Sequence, residues 1–294
     1  MAALTPELLA LQLLVGLALG AIYVLLAFGL SLIFGMLTVV NFAHGAFYML
    51  GAYVAFAVAG LTGNFWLCLA CAPVVLGLIG YGVERFLVSP LYGRGIDYPL
   101  LLTFGLSYVL VEAVRIIFGK QGYPFDSPAA LAGSVEILGN YFPLYRLFVV
   151  AATGTIVLAL WLFVEWTNFG LIIRAGARDP EILRVLGIDV GRVWRLVFAL
   201  GTAIAAMAGV LAAPLQGVTP EMGDSMLIES FVVTVVGGMG SLGGAVLAGL
   251  LVGLVVSLTS VVAPELAKLS IYALMAAVLL IRPQGLFGRA GLLG

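Results

Sequence analysis

Charge is what this sequence has least of. Asp, Glu, Lys and Arg make up 9% of its 294 residues, against about 25% in an ordinary soluble domain. That is too little to cover a water-facing surface of this size. With 63% hydrophobic residues and a mean hydropathy of +1.22, the chain is built for lipid as its solvent. In such a chain the net charge of −1 says nothing about a nucleic-acid partner, and no basic stretch suggests one, so none is expected.

Metal-ligating and redox residues are also scarce. The only histidine is His44, and the only cysteines, Cys68 and Cys71, sit three apart inside the apolar run 65–78. A structural zinc site needs four ligands, and this chain cannot supply them. The cysteines are therefore read as small packing residues on one helix face. No G-x-x-x-x-G-K-[ST] phosphate loop exists; the two lysines, Lys120 and Lys268, lie outside any such pattern. No Lys or Arg precedes Arg85, so the first apolar run lacks the positive region of a signal peptide and is expected to remain as a membrane span.

What is present is a series of apolar runs. A spanning helix takes about 20 residues. Runs of that kind occur at 8–35, 44–60, 64–86, 98–118, 145–165, 195–215 and 244–262, with a shorter one at 266–281. A shorter run still, 226–238, ends in glycines. The expected fold is an all-α polytopic transmembrane bundle with eight spans and one partial or broken helix, forming one domain over residues 1–294. The connection 165–195 carries Arg174, Arg178, Arg184, Arg192 and Arg195, which assigns it to the cytoplasm. Counting outward puts Arg85, Arg94, Arg282 and Arg289 on the same side and Arg115, Lys120, Arg146 and Lys268 on the other, together with Glu221, Asp224 and Glu229. The expected topology has the N-terminus outside and the C-terminus in the cytoplasm.

Two stretches interrupt the helical pattern. In GMLTVVNFAHG, residues 35–45, Asn41 and His44 break a long apolar run. In GGMGSLGG, residues 237–244, five of eight positions are glycine, each weakening a helix by about 1 kcal/mol. Backbone polar groups freed at membrane depth must be buried in protein or line a wet cavity, and broken helices in corresponding halves mark transport pathways. Asn41, His44, Gly45, Gly237, Gly238 and Gly240 are thus the candidate pathway residues, His44 being read equally as a structural residue that satisfies a broken turn. Similar lead-ins precede both breaks, LALGAIYVLLAFGLSLIFG and VFALGTAIAAMAGVLAAPLQG, suggesting an inverted internal repeat. Small residues recur every four positions at Gly16–Gly20, Gly249–Gly253 and Gly201–Ala205–Gly209–Ala213, where helices can approach closely.

The loop 166–194 contains a short helix signal. Asp179 is placed to N-cap, Pro180 to open the first turn, Glu181 to face the positive helix end and Gly187 to stop it. Ile182, Leu183 and Leu186 fall on one face. An isolated helix of two turns is marginal in water, so this face needs a surface, whether its own bundle, the lipid interface or a partner protein.

NFAHGAFYMLGAYVAF (41–56), RAGARDPEILRVLGIDVGRV (174–193), VVGGMGSLGGAVLAGLLVG (235–253) and RPQGLFG (282–288) together resemble the permeases of branched-chain amino acid ABC importers, in particular the shorter of their two permease types. The resemblance implies a fold like that of the type II importers and a bacterial inner-membrane location. It implies four kinds of partner: a second homologous permease, two cytoplasmic ATPases, an extracytoplasmic solute-binding protein and a small-molecule substrate. ATP would be bound by the partner ATPases, and this subunit would carry no cofactor. Asp179, Pro180, Glu181, Leu183, Leu186 and Gly187 match the family's coupling helix. Ala46 stands where many such permeases have an acidic residue. The family also handles urea, short amides and aromatic compounds, which are the alternative cargo. An ATP-independent secondary transporter or a channel is the remaining alternative; a membrane enzyme would need a polar catalytic cluster that is not seen.

Overall fold

A chain surrounded by lipid must satisfy its backbone internally, and long apolar runs do so as helices. The computed structural model describes residues 6–137 and 139–288, so the sequence expectation for Arg289 lies outside the described residues. Eleven α-helices are found among them: α1 Pro6–Leu37, α2 His44–Thr62, α3 Phe65–Val83, α4 Asp97–Phe118, α5 Leu144–Trp166, α6 Asn168–Gly176, α7 Pro180–Val185, α8 Val190–Gln216, α9 Met222–Gly237, α10 Leu242–Val262 and α11 Ala267–Ile281. Eight are long and apolar enough to cross a membrane, α3 and α11 counting with their flanking turns. These are the eight runs expected from the sequence. The partial run proves to be α9, a 16-residue helix. A short antiparallel hairpin, β1 Ser134–Ile137 with β2 Asn140–Pro143, lies between α4 and α5 and was not foreseen.

Helices α1 and α8 occupy the centre: 72% of the apolar window of each is buried, against 6% for α11. Their contacts exchange in a regular way. α1 packs chiefly on α10 and also meets α9, while α8 packs chiefly on α3 and also meets α2. α2 touches α3 as α9 touches α10, and the exchanged pairs α1–α8 and α2–α9 each touch one another. The triplets α1–α2–α3 and α8–α9–α10 thus make corresponding contacts, although the glycine-rich break falls between α9 and α10 and has its positional counterpart between α2 and α3.

The small-residue ridges explain how closely the helices sit. Gly16 lies against Gly253 and Leu254, and Gly20 against Gly249 and Leu250. The two four-spaced glycine pairs thus pack on each other, and their register makes α1 antiparallel to α10. On α8, Gly201 faces Ile33 of α1 and Gly209 faces Tyr48 of α2. These ridges serve the chain's own bundle. Cys68 is buried, its thiol donating to the Ala55 carbonyl at 3.3 Å, and neither cysteine is in a disulfide.

Candidate translocation and coupling site

The first break begins where α1 ends at Leu37. Thr38 turns the chain with a φ of +53°, and α2 starts at His44. Thr103 of α4 ties the exposed backbone in between, its hydroxyl accepting from Phe42 N at 3.1 Å and lying 3.4 Å from Val40 O. Asn41 Oδ1 accepts from Ala43 N at 3.1 Å. His44 Nε2 lies 3.1 Å from the Leu26 carbonyl of α1. A carbonyl only accepts, so Nε2 is assigned the proton. Asn41 and His44 are fully buried, and Asn41 Nδ2 and His44 Nδ1 have no partner among the described residues. Gly45, beside them, meets the backbone of Gly223 in α9.

The second break meets the first at Gly35, the residue that opens it. α9 ends at Gly237, Gly238 N returns to Thr234 O at 3.0 Å, and Ser241 caps α10 by accepting from Gly244 N at 3.1 Å. The C-terminal tail closes over this turn, with Leu286 N donating to Val236 O at 2.8 Å and Phe287 N to Gly237 O at 2.9 Å. Gly240 packs against Gly35 at the end of α1. The six pathway candidates thus form two groups. Asn41, His44 and Gly45 lie inside the bundle against α1, α4 and α9. Gly237, Gly238 and Gly240 lie at its arginine-rich end, against Gly35 and the tail. There a cleft of about 730 Å³ opens, walled by Gly35, Gly240, Arg174, Asp179, Ile182 and Phe287. Three of the four sequence signatures, 174–193, 235–253 and 282–288, contribute residues to this cleft.

α7 stands at that cleft, and its local structure follows from its residues. Asp179 Oδ1 accepts from Glu181 N at 2.9 Å and Ile182 N at 3.2 Å. Glu181 pairs with Arg184 at 2.9 Å. At the other end Ile188 N reaches Leu183 O and Gly187 N reaches Arg184 O, both at 3.0 Å, the paired bonds of a Schellman stop. Gly187 takes the left-handed φ of +78° that this stop needs. The expected apolar face is divided. Leu183 turns inward, 2% exposed, toward Gly176, whereas Ile182, Val185 and Leu186 are 57%, 87% and 69% exposed. The bundle uses one of the helix's large apolar side chains and leaves three facing outward; Val185 was not foreseen among them.

Of the acidic residues expected beyond the far end, Glu221 is held by Arg115 at 2.9 Å, and Arg115 also pairs with Glu112 at 3.2 Å. Glu229 departs from that expectation. It lies within the bundle, 7% exposed, facing Tyr23 of α1. The sequence signal was present, a lone carboxylate in the middle of an apolar helix, but the short run around it concealed that α9 is enclosed.

A helical bundle with corresponding halves, broken helices and a protruding capped helix at its arginine-rich end defines a polytopic membrane permease. The chain belongs to the family described as branched-chain amino acid transport system / permease component, whose family model matches residues 12–279. Among its relatives, it is 32% identical to the high-affinity branched-chain amino acid transport system permease protein BraD of Pseudomonas aeruginosa, over 95% of both chains. It is 31% identical to the LivH permease protein of the corresponding system in Escherichia coli K12, covering 93% of this chain and 94% of that one. Similarity to the LivM permease protein of the same organism is 29% identity, over 90% of this chain and 67% of LivM. Among solved structures, PsaBC from Streptococcus pneumoniae in complex with Fab matches with a TM-score of 0.50 at 14% identity, covering 91% of this chain and 89% of that one. That likeness supports the fold.

Proposed function

We propose that the chain is the transmembrane permease subunit of an ABC importer that moves branched-chain or related small amino acids into the cytoplasm. The observation that carries this reading is α7. It is fully capped, anchored by Leu183 and presents Ile182, Val185 and Leu186 to the outside. Covering a large aliphatic side chain is worth about 1.5–3 kcal/mol when complete, so a partner groove that took these three would gain several kcal/mol. A cytoplasmic ATPase is that partner, because the chain has no phosphate loop of its own and the energy for uptake must enter from outside.

The arginine-rich end is then cytoplasmic, the N-terminus lies outside and the C-terminus inside. ATP-driven closure of two ATPases would move α7, and with it α6, the Gly237–Gly240 turn and the tail, all of which meet at the cleft. Similarity to both LivH and LivM, two permease proteins of one system by name, supports pairing with a second homologous permease, and an extracytoplasmic binding protein would deliver the solute. The test is reconstitution of the chain with these partners in liposomes. ATP-dependent accumulation of leucine, isoleucine or valine is the expected result. Accumulation without ATPase subunits, or accumulation of urea or short amides in place of amino acids, would overturn the reading.

A further inference from the structure

Two glutamates are buried among the described residues: Glu84, which accepts from the Tyr92 hydroxyl at 2.8 Å, and Glu229. A carboxylate inside a membrane bundle is costly and marks a functional site by default. Glu229 is buried at 7% exposure, forms no ion pair among the described residues, and its Oε2 has no hydrogen-bond partner there. Its neighbours include polar groups from three further helices, and the positive charge of Lys268 on α11 also acts on it. Tyr23 of α1 is within hydrogen-bonding reach of the carboxylate. Tyr48 of α2 lies within its electrostatic field, and Gln216 of α8 donates through Nε2 to the Tyr48 hydroxyl. The cluster thus joins α1 and α2 from one triplet with α8 and α9 from the other. On α9 itself, one turn to either side of Glu229, Met226 and Val233 are buried and apolar.

From this arrangement we propose that Glu229, Tyr23 and Tyr48 form the subsite that receives the α-ammonium group of the transported amino acid. An ammonium presents three N–H donors and one positive charge. The cluster offers one unpaired carboxylate oxygen and two hydroxyl oxygens, set beside apolar walls that suit an aliphatic side chain. Uncharged solutes such as urea or a short amide could hydrogen-bond the carboxylate but would leave its charge unpaired. The cleft at the arginine-rich end does not reach Glu229, nor does the second large cleft, which lies beside Asn64, Trp66 and Phe125.

The proposal rests on the amino acid importer reading above, and the experiment separates the two. Leucine uptake and binding-protein-stimulated ATP hydrolysis are measured for the reconstituted complex with wild-type chain, Glu229→Gln and Tyr23→Phe. In parallel, the melting temperature of the purified chain in detergent is followed with isopentylamine, which keeps the ammonium and aliphatic chain, and with 4-methylpentanoate, which keeps the carboxylate instead. Glu229→Gln should cut leucine uptake at least about tenfold, the scale for removing one partner of a buried charge contact, while ATP hydrolysis persists. Isopentylamine should stabilise the wild type and not Glu229→Gln; 4-methylpentanoate should stabilise neither. Tyr23→Phe, which keeps the carboxylate, should respond to isopentylamine only at several-fold higher concentration, and it decides the matter if Glu229→Gln does not fold. Uptake by Glu229→Gln within twofold of wild type, or equal amine stabilisation of all three chains, would overturn the subsite and leave the importer intact. A wild-type complex that accumulates no amino acid would overturn the importer reading first.

Discussion

Gly45 and Gly223 meet backbone to backbone where the two triplets of the bundle cross. A Cβ added to Gly223 would stand 2.5 Å from the Gly45 carbonyl oxygen, and one added to Gly45 would collide with the Gly223 carbonyl. Neither neighbour is a flexible side-chain end that can move aside. Gly45→Ala and Gly223→Ala are each expected to cost about 1–3 kcal/mol through overpacking, lowering the melting temperature by several degrees. Because both changes force the same helices apart, the double variant should lose less than the sum of the two. Differential scanning fluorimetry in detergent measures all three; strict additivity would show that the contact is not shared.

His44 sits one residue before that contact, and its bond to Leu26 ties the first turn of α2 to α1. His44→Ala removes a second bond from the Leu26 carbonyl, which keeps its helical partner, a loss of about 0.5–1.5 kcal/mol, and also leaves a void. His44→Gln retains an N–H donor and should recover part of that stability. If the histidine is structural, uptake will follow melting temperature across the two variants. A His44→Gln chain that melts like wild type yet transports poorly would instead place His44 in the pathway.

The tail supplies a third test. Leu286 N and Phe287 N donate to the last carbonyls of α9, at Val236 and Gly237, and so hold Phe287 at the wall of the cleft. Leu286→Pro removes one donor and disfavours the turn before it. It should lower the melting temperature by an amount equivalent to about 1 kcal/mol and make the chain beyond Arg282 sensitive to protease. An unchanged digestion pattern would show that the tail is held by other contacts.

The spans were legible because lipid leaves the sequence little choice: each apolar run of sufficient length became a helix, and the turns at Thr38 and Gly238 fell where Asn41, His44 and the glycines had broken the pattern. Pairing of the four-spaced glycines was visible as a capacity to pack but not as a choice of partner, since Gly16–Gly20 could have met any small-residue ridge. That the two breaks touch, Gly35 against Gly240, was not legible either. Periodicity locates a break along the chain, whereas its distance from another break depends on how the helices cross. Counting spans put Glu229 on the outside, although its place near a span interior was visible in the sequence, and enclosure of α9 by α1, α2 and α10 buries it. On α7 the helical spacing grouped Ile182, Leu183 and Leu186 on one face, whereas packing divides them and the bundle consumes Leu183 alone.

That division on α7 gives the most direct test of coupling. Leu186 and Val185 are exposed, so Leu186→Asp and Val185→Asp should leave stability within about 0.5 kcal/mol of wild type, as surface substitutions do. Both should nonetheless abolish co-purification of the ATPase and reduce ATP-dependent uptake, since each places a charge where an apolar groove must close. Leu183→Asp differs in kind: it buries an unpaired charge beside Gly176 and should destabilise the chain by about 3 kcal/mol or more, before any effect on docking is read. Gly187→Val lies between the two, forcing a β-branched residue into a left-handed turn at about 1–2 kcal/mol and loosening the helix stop without changing its exposed face. Comparing ATPase recovery with melting temperature across the four variants separates the face that docks from the face that folds. Normal ATPase recovery by both exposed-face variants would remove α7 from the coupling interface.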